Sequence, residues 1–306
     1  MTVRLSNSEI QTFKECRRKW FLSYYRAMQP KQKSHTGPLA MGTRIHAALD
    51  DYYAQGVYLL DAHEELVKKD RLTLETELRD TTALDSEAEL GRIMLEGYLE
   101  WVEENGIDAE LDIISTEEKI SIPLFNGEVE LQGKLDMRVR RKIDGVRMFR
   151  DFKTVGGSLS DFANLAPMNE QVLTYMLLEQ MKEGEDTRSE GGIFTMLKKV
   201  KRTARATPPF YDQIEVRHNI FTLRSFWDRI HGVITDLMRV RKALDDGESH
   251  ALVAYPTPTR DCKWKCQFFS ICTMFDDGSS AEQALTEMFE EKDPYAYYES
   301  DKKGSE

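Results

Sequence analysis

The stretch from Gly133 to Lys153, GKLDMRVRRKIDGVRMFRDFK, decides the fold. Apolar and polar residues alternate on both sides of Asp144-Gly145, a dipeptide suited to the left-handed backbone of a tight turn, so the spacing predicts two antiparallel strands. With Asp144 and Gly145 as the two central turn residues, Asp136 falls opposite Lys153. Side chains two apart on a strand share a face, so Asp151 joins them. Just upstream, Asn126-Gly127 predicts a second turn that pairs Ile120 with Gly133, Ile122 with Leu131 and Leu124 with Val129. The chain from about Ile114 therefore reads as a three-stranded meander whose apolar face closes without conflict.

Asp136, Asp151 and Lys153 put two carboxylates and an ammonium on one patch. Carboxylates suit a hard divalent cation such as Mg2+ or Mn2+, which polarises a phosphoryl oxygen and acidifies water. A lysine beside it can orient that water and offset negative charge developing in the transition state. The commoner role of an Asp and a Lys on a strand face is a surface ion pair. Gly133 three residues before Asp136, and Phe149 and Phe152 on either side of Asp151, favour the functional reading.

Outward from the meander the texture is helical. Ser6-Asn7-Ser8-Glu9 is a capping-box pattern, followed by Ile10, Phe13, Trp20, Phe21 and Tyr24 at helical spacing, with Cys16 on the same face and Pro30 as the stop. After a polar loop from Lys31 to Gly37, a second helix is predicted from about Leu39 to Tyr53. Ile45, His46, Leu49 and Tyr53 form one stripe there, and a lone histidine in such a stripe is more often a core residue than a ligand. Residues 58 to 104 read as further helices. Beyond Thr154 come a glycine-containing loop, a helix from about Asn169 to Lys182, strands at Gly192 to Lys198 and 213 to 221, and a long helix from Leu223 to Asp245. Gln171 and Tyr175, four apart on a helix, face the same way. Beyond Ser279 a short helix is expected, and the end, Glu290 to Glu306, is polar and charged and is expected to be a flexible tail.

The composition, 41% hydrophobic and 31% charged over 306 residues, is that of a globular protein with room for a substantial core. No apolar run approaches the ~20 residues a membrane span needs. The N-terminus lacks a secretory pattern, which points to a cytoplasmic, reducing location. The net charge of -11 argues against bulk coating of nucleic acid. Two local basic runs remain: Arg138, Arg140, Arg141 and Lys142, and Lys198, Lys199, Lys201, Arg202 and Arg205, each as readily a solvated face as a DNA contact.

The four cysteines, Cys16, Cys262, Cys266 and Cys272, are unlike a disulfide set in a reducing compartment. Three are clustered near the C-terminus and the fourth is far upstream, with none left over. Buried thiols, a metal site and catalysis are the alternatives; for four clustered thiolates zinc is the generic occupant, and cysteines buried at random are a poor alternative.

Gly42 to His46, Gly133 to Asp136, Asp151-Phe152-Lys153 and Gln171 to Tyr175, in this order, resemble the successive motifs of the PD-(D/E)XK nuclease superfamily. More narrowly the chain resembles its RecB-like, CRISPR-associated (Cas4-type) exonucleases and their phage-encoded relatives. The resemblance implies an α/β nuclease core with a mixed central sheet flanked by helices, and an iron-sulfur-binding segment joining the two chain ends. It implies that His46, Asp136 and Asp151 bind catalytic Mn2+ or Mg2+, that Lys153 assists the attacking water, and that Gln171 and Tyr175 hold substrate. It favours Cys16, Cys262, Cys266 and Cys272 as ligands of a 4Fe-4S cluster, although three residues separate the first clustered pair where many relatives have two. The expected division is an N-terminal helix (1–37) carrying one cluster cysteine, a helical region with the first motif (38–112), the nuclease core (113–250), the cluster module (251–280) and a polar tail (281–306). The implied activity is exonucleolytic hydrolysis of DNA, single-stranded or at free ends, in recombination, repair, or CRISPR or phage DNA processing, with recombination or CRISPR-acquisition proteins as partners. The competing reading is a non-catalytic adaptor that binds DNA ends with the same fold.

Overall fold

Asp144 spends its carboxylate locally, accepting from the Val146 N–H at 3.2 Å and from the Arg141 Nε at 3.0 Å, and this reshapes the predicted hairpin. In the computed structural model, which describes residues 2–183 and 189–299, the loop takes Lys142 to Gly145 rather than two residues. Gly145 alone adopts a positive φ, +72°. The strands Val129–Arg141 and Arg147–Val155 therefore pair Met137 with Arg150 and Arg140 with Arg147, two residues from the predicted register. Asp136 is thereby level with Asp151 rather than Lys153. An even slip leaves every side chain on its predicted face, so the Asp136, Asp151 and Lys153 patch survives the error. The Asn126-Gly127 turn is also longer than predicted: Phe125 and Asn126 both adopt positive φ, and the strands Leu111–Leu124 and Val129–Arg141 pair beyond it.

Two compact units share the chain: Met1–Lys33, Pro123–Gly133 and Arg224–Glu306 form one, Ser34–Ile122 and Lys134–Leu223 the other. In the second unit the Arg147–Val155 strand pairs in parallel with Gly191–Lys198, Asp151 beside Phe194, and the latter pairs antiparallel with Tyr211–Arg217. With the antiparallel hairpin before it, the sheet is mixed. The parallel step is a strand-helix-strand crossover through the helices Leu159–Leu165 and Glu170–Glu183. Gly191–Lys198 is buried along nearly its whole length, the burial expected of a strand covered on both faces. One sheet face packs Met137, Val139, Met148, Phe152 and Ile193 with Ile45 and Leu49 of the Pro38–Gln55 helix and with Leu95 and Tyr98 of the Thr82–Asn105 helix. The strand predicted at 213 to 221 runs over Tyr211–Arg217 and stops early because the Asn219 side chain accepts the Thr222 N–H at 3.0 Å and caps the Ile220–Asp245 helix.

Gly191 sits where a β-carbon would lie 2.0 Å from the Val216 carbonyl oxygen, a backbone atom that cannot step aside. Gly191→Ala is expected to break the Gly191–Arg217 end of the sheet and to destabilise by about 3 kcal/mol or more, read as a fall in the urea midpoint.

In the first unit Ser6 caps the Asn7–Glu15 helix, its Oγ accepting the Glu9 N–H at 3.2 Å. The helix predicted to run on toward Pro30 is broken at Cys16, which is extended (φ -159°). The reason is local: the Thr257 N–H donates to the Cys16 Sγ at 3.4 Å and the Arg18 N–H to the Tyr255 carbonyl at 3.1 Å. Val3–Ser6 adds a parallel strand against Val129–Gln132 that the sequence reading missed. The expected flexible tail is also corrected as far as Glu299. A helix, Ala281–Met288, leads into Phe289–Glu291, which pairs with Met28–Pro30, and buried Tyr295 donates to the Arg4 carbonyl at 2.7 Å. Phe289 and Tyr295 give this segment the apolar anchors that its charged composition hides. Residues 300–306 lie outside the described residues.

Glu9 completes no capping box. Its carboxylate turns inward to accept the Trp20 indole N–H at 2.8 Å, and burial, opposed by Trp20 and Arg241, pushes its carboxyl up to about 7. A carboxyl raised in the folded state binds its proton more tightly there, so folding stability falls as pH rises from about 4.5 to about 7 and is level above that. The span corresponds to ~3 kcal/mol. Glu9→Gln keeps an acceptor for Trp20 and is expected to remove most of that slope, measured as the melting temperature of both proteins across this pH range.

Among the described residues no helix is long and apolar enough to cross a membrane.

Candidate active site

Four elements of the second unit converge on one place. The Val129–Arg141 strand supplies Asp136, the Arg147–Val155 strand Asp151 and Lys153, the first turns of Glu170–Glu183 Gln171 and Tyr175, and Pro38–Gln55 His46. The Lys153 Nζ lies 2.5 Å from the Asp151 Oδ2 and donates to the Gln171 Oε1 at 3.0 Å. The Gln171 Nε2 donates to the Asp151 Oδ1 at 3.2 Å and to the Tyr175 hydroxyl at 3.0 Å. Tyr175 in turn donates to the Lys134 carbonyl at 2.8 Å. On the other side the His46 Nδ1 is 3.4 Å from the Asp136 Oδ2, which also accepts the Phe152 N–H at 3.3 Å. Gly42 lets the helix carrying His46 approach this strand: a β-carbon there would lie 3.3 Å from the Thr154 Oγ1.

Burial sets the electrostatics. It pushes the Asp151 carboxyl up, with the Asp136 charge adding to it and Lys153 opposing. Asp136 is also penalised by burial, but His46, Lys153 and the Phe152 N–H outweigh this and hold it below the usual carboxylate range. Burial opposes the charged form of Lys153 and of His46, yet the Asp151 carboxylate raises the former and the Asp136 carboxylate the latter. Two acids a short distance apart are thus pushed in opposite directions, as in paired carboxylate sites that divide acid and base roles.

All six predicted residues, His46, Asp136, Asp151, Lys153, Gln171 and Tyr175, are brought together. Sequence reasoning missed Lys134 and Glu117, an ion pair beside Asp136. Lys134 is two before Asp136, so the period-two rule already placed it on the same face. Glu117 had no such signal, because its positive φ (+51°) interrupts the strand that carries it. The basic run at 138 to 142 takes the bland reading. Arg138 is buried against Glu118 and Glu179, Arg140 and Lys142 pair with Asp112, and Arg141 pairs with Asp144 and Glu215. From the second run, the Arg202 guanidinium lies over Phe210, its Cζ 3.7 Å from the ring centroid, and donates to the Tyr211 hydroxyl at 2.7 Å.

The donor set fits a hard divalent cation in chemistry: two carboxylates, one imidazole, and an Asp151 Oδ2 that is buried with no hydrogen-bond donor, only the Lys153 charge beside it. The set is closed on itself, however, since among the described residues no three His, Cys, Asp or Glu side chains form a ready-made metal cage. The cysteines, all free thiols of the first unit, are similar. Cys16 and Cys272 lie close enough to Cys266 for their charges to oppose its ionisation, while Cys262 is coupled only to its own turn. Backbone N–H groups already point at sulfur, Thr257 at Cys16 and Thr259 at Cys262 (3.3 Å), the kind of bond that stabilises ligating thiolates.

A mixed sheet flanked by helices, with Asp136, Asp151 and Lys153 gathered on one face, defines a nuclease-type α/β core. The chain belongs to the PD-(D/E)XK nuclease superfamily, whose family profile matches residues 4–273. Members of that superfamily generally use divalent cations such as Mg2+ or Mn2+. Among solved structures, the chain is similar to a "putative exonuclease" from Eubacterium rectale, with 14% identity and a TM-score of 0.48, covering 80% of this chain and 82% of that one. It is also similar to the protein SSO0001, with 13% identity and a TM-score of 0.30 over 87% and 96% of the two chains. No curated protein matches it.

Proposed function

We propose that the protein is a divalent-cation-dependent DNA exonuclease acting on single strands or free ends, in recombination, repair, or CRISPR or phage DNA processing. The observation that carries this reading is the Gln171 amide, which ties Lys153 to Asp151 beside the Asp136–His46 pair. His46, Asp136 and Asp151 would hold Mn2+ or Mg2+, which supplies Lewis-acid polarisation of the scissile phosphate. Lys153 contributes an ammonium at fixed distance from Asp151. It orients a water for in-line attack and offsets charge building on the phosphoryl oxygens. Gln171 holds that ammonium in place on the substrate side, and Tyr175, its hydroxyl donating to the Lys134 carbonyl and accepting from Gln171, holds the Gln171 amide there. A time course with Mn2+ on linear and circular single-stranded DNA tests the reading. Loss of the linear form with the circle left intact is expected, whereas binding without cleavage of either assigns an adaptor.

We propose in addition that Cys16, Cys262, Cys266 and Cys272 carry a 4Fe-4S cluster of structural role. Hydrolysis transfers no electron, and the set joins residues 246 apart in sequence, between Cys16 and Cys262.

A further inference from the structure

We infer that the turn carrying Cys262 to Lys265 is a stacking platform for single-stranded nucleic acid, with Trp264 as the surface on which a base lies. The inference rests on the reading that this protein acts on DNA, and names a surface for it outside the catalytic residues.

Of the four tryptophans, Trp20 is fully buried, Trp101 and Trp227 are half-buried, and Trp264 is 67% exposed. A single exposed aromatic is common on protein surfaces, so the charge around it decides its use. Trp264 makes no ring contact with any described residue, so its faces are open. The turn beneath is fixed: Phe268 is buried and stacks on Phe289 at 4.9 Å, and Ile271 is buried next to it.

The charge around the ring selects the occupant. Lys263 and Lys265 flank Trp264, and Arg260 precedes them, all exposed. Lys265 is paired with Asp261 at 2.6 Å, whereas Lys263 has no ion-pair partner among the described residues. Lys19, paired with Glu15 at 3.7 Å, acts on Cys266, and Glu15 on Lys265, so four cations face two acids in a chain of net charge -11. A protein-binding anchor sits in surroundings depleted of lysine. An aromatic interleaved with lysines fits a strand whose bases are unstacked and whose phosphates run alongside. A duplex offers no such face, because its bases are stacked on each other.

The test is anisotropy with an oligothymidylate of about 16 nucleotides and with a blunt duplex, with no divalent cation and no chelator added so that nothing is cleaved. Trp264→Ala is expected to weaken single-strand binding about 5- to 100-fold, and Trp264→Phe to restore most of it. Duplex affinity should change far less. Lys263→Ala should reduce the salt slope for the single strand by about 0.7. Equal single-strand affinity for Trp264→Ala and the unaltered protein overturns the platform and leaves the indole to a protein contact. An equal loss on strand and duplex overturns it too. Because hydrolysis is withheld by leaving out the cation, neither result depends on whether Lys153 is catalytic.

Discussion

Replacing Lys153 with alanine is expected to lower the rate of DNA cleavage about 100- to 10,000-fold while leaving the fold intact. Among the described residues its ammonium is the one ion-pair partner of Asp151, and it reaches Gln171 as well. Without it, Asp151 faces the Asp136 carboxylate in a buried setting with its larger opposing charge gone and only His46 left to oppose it. Its carboxyl, already pushed up by burial, then rises further and ionises less readily. The loss should fall on the chemical step, so single-turnover cleavage at saturating protein is the proper readout, with DNA binding measured beside it. Lys153→Arg is expected to rescue little. A planar guanidinium cannot occupy the point between Asp151 and the Gln171 oxygen that an ammonium fills. Full activity in Lys153→Ala would remove this lysine from the reaction.

The second large effect is expected at the cysteines. Cys272→Ser or Cys16→Ser, purified without oxygen, should lower bound iron from about four atoms per chain toward none, with loss of the brown colour. A link between residues as distant as Cys16 and Cys262 restrains the unfolded chain by on the order of 5 kcal/mol, if the loop-closure argument for disulfides transfers. Stability should therefore drop by several kcal/mol with the iron, and chelation of the unaltered protein should have the same effect. A colourless protein holding zinc would keep the clamp and change its metal. Retention of both iron and stability in Cys272→Ser would exclude that residue as a ligand.

The site was far more legible than the register that builds it. Face parity along a strand depends only on counting by two, so Asp136, Asp151 and Lys153 were grouped correctly although the hairpin was placed two residues off. The error came from treating Asp144-Gly145 as a two-residue turn, when the Asp144 carboxylate instead holds the Val146 N–H and the Arg141 side chain. Helix ends marked by glycine, as at Gly56 and Gly106, are written in local sequence, because both residues adopt a left-handed backbone. What local pattern could not show was anything dependent on a distant partner. The break at Cys16 depends on Tyr255 and Thr257, the strand Val3–Ser6 exists only against Val129–Gln132, and the ordering of Phe289–Glu291 requires Met28–Pro30. The Arg150 guanidinium is another such case. Inside the apolar core it is held by Asp108 at 2.6 Å, Tyr98 at 3.0 Å and Thr195 at 3.0 Å, a buried charge that a strand pattern would have placed outside.

The most direct test of the central claim joins cation uptake to cleavage in one variant. Calorimetric titration of Mn2+ into the unaltered protein, with labelled DNA assayed at each addition, should show binding and hydrolysis rising together. Asp136→Asn with Asp151→Asn should lose both while keeping the circular dichroism of the fold. Cleavage that persists undiminished in that double variant would contradict the account, because the reaction would then take place elsewhere in the molecule.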